Sequence, residues 1–145
     1  MNNTKTKFIF SFVLFIFITS CFYPFGGELI SKPDEYTRVY DVKEKIILRT
    51  IASIIKEKNM GTHVLIDDKN HLVDSDYVIS GKWRTKTKAH VRQINWKECE
   101  VILSISTEKK TEKGWEMRRL LQKDQYDTFF SEIDFKVYEE MSKIE

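Results

Sequence analysis

Six basic residues recur at every second position of one stretch: Lys82, Arg84, Lys86, Lys88, His90 and Arg92. Side chains alternate between the two faces of a β-strand, so a strand here sets all six on one face. Trp83, Thr85, Thr87, Ala89 and Val91 take the other. The chemistry of such a ridge is attraction of anions, such as lipid phosphates or an acidic protein surface. A second reading competes with it. Glu98, Glu100 and Glu108 share one parity on the next strand-like run, and opposite charges across strands stabilise by ~0.2–1 kcal/mol each. The charge balance of the chain favours this paired reading.

The stretch Asp67, Asp68, Asn70, His71, Asp74, Asp76 is rich in oxygen ligands. Calcium takes about 6–8 oxygens, and an EF-hand loop needs a glycine at its sixth position. Frames starting at Asp67 or Asp68 put Leu72 or Val73 there, so a solvated loop is expected and no metal. His63, His71 and His90 are scattered without zinc-ligand spacing. No His-Glu-x-x-His, Gly-x-Ser-x-Gly or phosphate-binding glycine loop occurs, so no catalytic residue and no cofactor is expected. Cys99 reads as a small buried apolar residue rather than a reactive thiol.

Cys21 has different surroundings. Met1–Lys7 carries Lys5 and Lys7 and no acid, and Phe8–Ile18 is apolar apart from Ser11. Thr19 and Ser20 lead into Cys21. A basic segment, an apolar core and small residues make an export signal over residues 1–20. The ending Ile18-Thr19-Ser20-Cys21 resembles the lipobox of bacterial lipoproteins. That resemblance implies a diacylglycerol thioether on Cys21, cleavage before it, and attachment to a membrane through the lipid. It also implies the periplasmic face of the outer membrane, because Phe22 stands where an inner-membrane retention signal has Asp. An uncleaved transmembrane helix is the other reading, since a span needs ~20 apolar residues. Pro24 and Gly26-Gly27 oppose it.

The 145 residues include 24 Lys+Arg and 22 Asp+Glu. Lys5 and Lys7 leave with the signal, so 22 basic residues face 22 acidic ones in the mature chain. A net charge near zero gives no support to nucleic acid as a partner. With Cys21 modified, Cys99 has no disulfide partner. The remaining length suits one domain. Glycine and proline in residues 21–35 suggest a lipidated tether, and residues 36–145 a single envelope domain. The aromatics Phe22, Tyr23 and Phe25 suit a bilayer surface or packing on the domain.

The elements that must position these residues follow from periodicity. Tyr36–Tyr40 alternates as a short strand. Ile47, Ile51, Ile54 and Ile55 form one helical stripe in Asp41–Asn59, with Asp41 and Glu44 as a capping box and Asn59-Met60-Gly61 as the stop. His63–Ile66 reads as a strand and residues 67–76 as a polar loop. Tyr77 opens a long strand to about Arg92, and Glu98–Glu108 is another, with Cys99, Val101, Leu103 and Ile105 on one face. A turn over 109–114 leads to a strand from Trp115 to Gln122. Phe130, Ile133, Val137, Met141 and Ile144 mark a closing helix, Ser131–Lys143. The expected fold is α+β, β-α-β-β-β-β-α, a mostly antiparallel sheet of about four to five strands with both helices on one face.

Asp74-Ser75-Asp76-Tyr77-Val78-Ile79-Ser80-Gly81, after a helix and a strand, resembles envelope lipoproteins with a fold like the amino-terminal domain of TolB. These include outer-membrane activators of penicillin-binding proteins and related secretion lipoproteins. By topology alone the element order is similar to the lipoprotein plug of the lipopolysaccharide translocon. The expectation is a non-enzymatic, lipid-anchored envelope protein that binds another envelope protein through its sheet or ridge. The alternative is a carrier for an anionic lipid or glycan.

Overall fold

A computed structural model describes residues 26–142. The export signal, Cys21 and Ile144 lie outside the described residues. Among the described residues the class is α+β, with two helices and one antiparallel sheet. The sheet has eight strands, more than the four to five expected, and each added strand has a local cause.

Helix α1 spans Glu44–Glu57 and buries Ile47, Leu48, Ile51, Ile54 and Ile55. Each such side chain contributes ~1.5–3 kcal/mol on leaving water. The helix starts later than the expected Asp41. Its cap is Lys43, no side chain closes the first turn, and Glu44 turns aside to His71. The end is as expected: Asn59 adopts φ 53°, and the Lys58 and Met60 N–H groups donate to Ile54 and Ile55 carbonyls.

Strands β1 (Glu28–Leu29) and β2 (Glu35–Tyr40) precede α1. Thus residues 26–35, expected as tether, are held on the domain from Gly26 onward. Glu28 and Leu29 pair with Arg119 and Arg118, and Arg119 also clamps Asp34 through Nε and Nη2, at 2.6 and 2.9 Å. After α1 come β3 (Thr62–Asp67) and β4 (Leu72–Asp76), joined by a turn at 68–71. The expected polar loop over 67–76 is therefore only its first half. In β4 the acids Asp74 and Asp76 face outward while Val73 and Ser75 are buried. The strand is amphipathic with carboxylates on its wet side.

The expected single strand from Tyr77 to Arg92 is instead a hairpin. β5 (Val78–Ser80) reverses at Gly81-Lys82 into β6 (Trp83–Gln93), with Ser80 opposite Trp83. Gly81 takes φ 58°, the positive value that the first central residue of a two-residue type II′ turn needs. β6 then pairs over its whole length with β7 (Cys99–Thr111), from Trp83–Lys109 to Gln93–Cys99. A turn at Glu112-Lys113 leads to β8 (Gly114–Arg119), and α2 (Lys123–Ser142) closes the chain. α2 begins eight residues before the expected Ser131 because Tyr126, Phe129 and Phe130 bury its first turns.

β6 and β7 form the spine. β7 carries β6 along one edge and, along the other, β2 beside its first half and β8 beside its end. β6 carries β4 and β5 on its far edge, and β3 follows β4. Inward residues Thr87, Ala89 and Val91 of β6 and Cys99, Val101, Leu103 and Ile105 of β7 are buried with the apolar sides of both helices. Polar contacts join the layers. Arg38 reaches Asp134 at 2.8 Å, and the Tyr40 hydroxyl donates to the Phe130 carbonyl. Ser75 bridges β4 to β6, donating to the Thr87 carbonyl and accepting its N–H, where the backbone ladder gives way between β4 and β5. No helix among the described residues is long and apolar enough to cross a membrane.

Candidate functional site

The ridge residues Arg84, Lys86, Lys88, His90 and Arg92 lie on β6, on the face opposite the helices. Lys82 falls in the β5–β6 turn and does not extend the ridge. No described element covers this face, and its rows are set by register: Arg84 beside Glu108, Lys86 beside Ser106, Lys88 beside Ser104, His90 beside Ile102, Arg92 beside Glu100.

Half of the ridge is neutralised within the sheet. The Arg84 Nε donates to Glu108 Oε2 at 2.7 Å, and Tyr77 Oη donates to Glu108 Oε1 at 2.6 Å. Glu108 is only 7% exposed. The Arg84 guanidinium is layered between the rings of Tyr77 and Trp115, at 4.1 and 4.5 Å from their centroids. A desolvated carboxylate needs such satisfaction, and a planar guanidinium supplies it while stacking on aromatic faces. Burial first, then the hydrogen bond to Glu108, raises the Tyr77 pKa above its usual value. Lys86 pairs with Asp74 at 3.1 Å, and Arg92 Nη2 with Glu100 at 2.8 Å.

Glu100 and Glu108 thus act as expected, but Glu98 does not. It closes the β6–β7 loop, its N–H donating to Asn95 Oδ1 and its Oε2 accepting from Asn95 Nδ2. Asp74, the acid that answers Lys86, comes from β4, which sequence reading took for loop. The pairing was recoverable only with the hairpin at Gly81 in place.

Lys88 and His90 form no ion pair, and neither does any group offer the hydroxyls of Ser104 or Ser106 a hydrogen bond among the described residues. These four side chains occupy the centre of the bare face. In the ladder Ser104 lies between Lys88 and Glu35, and Lys88 between Ser104 and Asp74. The ammonium, the imidazole and the two hydroxyls can hydrogen-bond an outside group without displacing an internal bond.

The acidic stretch is dispersed. Asp67 accepts the Lys69 and Asn70 N–H groups and the Asn70 amide, and these bonds, the amide first, hold its carboxyl below the usual range. Asp68 lies in the exposed turn, and Asp76 meets His63 at 3.3 Å. His71 Nδ1 lies 2.6 Å from Glu44 Oε1. No three His, Cys, Asp or Glu side chains converge to hold a metal ion among the described residues. Cys99 is fully buried, its thiol donates to the Val42 carbonyl, and burial and then Glu44 push its pKa up to about 11.

Sequence reading missed a second exposed feature, the β6–β7 loop with Ile94 and Trp96, half and three-quarters exposed. Lys97 sits 4.6 Å from the Trp96 ring centroid. An apolar notch of about 370 Å³ lies beside it, lined by Val42, Ile46, Trp96 and Met141. The lone Trp between polar residues was its one signal. No family model matches the chain, and no curated protein is similar to it in sequence.

Proposed function

We propose that this chain is a non-enzymatic lipoprotein of a bacterial cell envelope, anchored through Cys21, whose domain is a protein-interaction or assembly module. The observation that carries the reading is the bare sheet face. Both helices pack on the other side, and the centre of the open face holds Lys88, His90, Ser104 and Ser106 uncommitted. The lipobox Ile18–Cys21 supports the anchor, Phe22 supports the periplasmic face of the outer membrane, and the likeness of Asp74–Gly81 to TolB-like lipoproteins supports the same address. A carrier for an anionic lipid or glycan is the second reading, favoured by the unpaired Lys88 over two serine hydroxyls.

Two measurements test this. Cys21→Ala should abolish labelling by a palmitate analogue and release the protein from membranes. Unchanged membrane retention with an intact Met1 terminus would refute the lipid anchor. A photo-crosslinker at Ser104 should capture a discrete protein adduct in cells, weakened by Lys88→Glu but not by Lys45→Glu. Capture of labelled phospholipid or glycan with no protein adduct would favour the carrier.

A further inference from the structure

Four residues lie between Cys21 and Gly26, the first described residue, a span of at most ~18 Å for five extended steps. Gly26 lies against the Lys109 ammonium, since a Cβ on Gly26 would sit 3.4 Å from Lys109 Nζ. The chain therefore enters the domain beside a cation. Lys109 is opposite Trp83 in the ladder, and its ammonium lies 5.5 Å from that ring centroid. The Lys110 N–H donates to the Lys82 carbonyl at 2.7 Å, which ties the β5–β6 turn to β7 just before the β7–β8 turn. One end of the sheet thus gathers Lys82, Lys109, Lys110 and Lys113. Lys82, Lys110 and Lys113 are exposed and form no ion pair among the described residues. The two turns themselves carry one acid, Glu112. Nearby Glu108 and Glu116 are already engaged by Arg84 and Arg118. The half-buried Trp83 and Trp115 lie behind these lysines, a pairing of aromatic and cation suited to a lipid headgroup layer.

We propose that this lysine-rich end of the sheet, made by the turns at 81–82 and 112–113, docks on an anionic lipid surface. The inference rests on the lipid anchor and specifies how the anchored domain stands. Each lysine near such a surface strengthens contact about fivefold, and the attraction fades over ~8–10 Å at physiological salt. The opposite end of the β6–β7 hairpin, with Ile94 and Trp96, then lies roughly 33 Å further out, ten strand residues from Trp83.

The test uses the full lipidated protein purified from membranes and reconstituted in vesicles of phosphatidylcholine alone or with phosphatidylglycerol. A fluorophore is attached at Glu112→Cys or at Trp96→Cys, with a quencher on the lipid headgroups. Cys21 carries lipid and Cys99 is buried, so the introduced thiol is the reactive one. Flotation with both kinds of vesicle reports the anchor, and quenching reports the orientation. The label at 112 should be quenched in anionic vesicles, far less in neutral ones, and released by high salt. The label at 96 should stay bright in both. Lys82→Glu, Lys110→Glu and Lys113→Glu together should lower the docked-to-undocked ratio by more than tenfold while the far-ultraviolet circular dichroism is unchanged. Flotation with equal quenching at 112 in both vesicles, or quenching at 96 instead, overturns the docking. Loss of flotation overturns the anchor, and the docking with it.

Discussion

Replacing Glu108 tests the organisation of the open face most directly. Its carboxylate is 7% exposed and takes both Arg84 and the Tyr77 hydroxyl. Removing one member of a buried ion pair costs about 3–5 kcal/mol. The Arg84 side chain is about a quarter exposed and keeps its two ring contacts, so it stays partly solvated without its partner. The lower end, about 3 kcal/mol, is expected for Glu108→Met. Arg84→Met leaves the more buried carboxylate with the Tyr77 hydroxyl alone and should cost about 3–4 kcal/mol. The double variant replaces the pair with apolar side chains, an exchange that is often close to neutral, so about 1–2 kcal/mol is expected for it. The coupling in the cycle is then about 4–6 kcal/mol, the sum of the single losses minus that of the double. Urea unfolding followed by circular dichroism measures it. With a slope of about 1.5 kcal/mol per molar, the Glu108→Met midpoint should fall by about 2 M. Single losses that add to the double within about 0.5 kcal/mol would refute the claim that these two groups act as a unit.

Two further perturbations probe the core and the acid limb. A Cβ on Gly61 would stand 2.2 Å from the Ser75 hydroxyl oxygen and 2.3 Å from its Cβ, so Gly61→Ala must push Ser75 off Thr87 and should cost about 1–3 kcal/mol by breaking that bridge; a variant as stable as the parent in thermal melts would show that β4 yields freely. Asp34 is held below its usual value by the Arg119 hydrogen bond, and Glu57, Asp67 and Glu116 by bonds from Lys136, Asn70 and Arg118. Depressed folded values mean stability that is present above the unfolded carboxylate range near pH 4 and lost as pH falls through the folded values. Melting temperature should therefore fall below about pH 4, and Asp34→Asn should flatten that fall. A parent protein whose melting temperature is level from pH 6 to about pH 2 would contradict the assignment.

The isoleucine stripe of α1 and the alternating face of β7 were legible because each buries one side against the same core, and burial is what periodicity records. The hairpin at Gly81 was hidden by the same signal. Ser80 and Trp83 are flanked by β-prone residues on both sides, and only Ser80-Gly81 interrupts them. Inside a run read as one strand, that glycine conceals a reversal, and with it the partner of Lys86. The pattern of β4 was masked because Asp74 and Asp76 look like loop residues until Lys86 and His63 are set beside them. Its two inward residues, Val73 and Ser75, are too few for a period. β1 is two residues long and owes its place to the arginines of β8, which no local pattern announces. The start of α2 was misplaced because the polar run Gln122–Gln125 precedes the first stripe residue, Tyr126, and the exposed Phe135 and Tyr138 blur the stripe that follows.

The pairing of Glu28 with Arg119, together with the reach of Arg38 and Tyr40 to α2, ties the first described strands to the last elements of the chain. Contacts this distant in sequence reward folding only after long loops have closed, which makes folding slow. A ribosome or translocon that has released only residues up to 110 presents β2 with no α2 to cover Tyr40, and β1 with no β8 to pair. The sheet from β2 to β7 can pair by then, but its helix-facing core stays half covered until α2 arrives. If the chain is exported amino-terminus first, as proposed, that late closure keeps it in a form that a narrow channel can pass. It also sets a sharp limit on truncation. A chain ended before Phe130 loses the cover of α2 over the same core that its first helix needs.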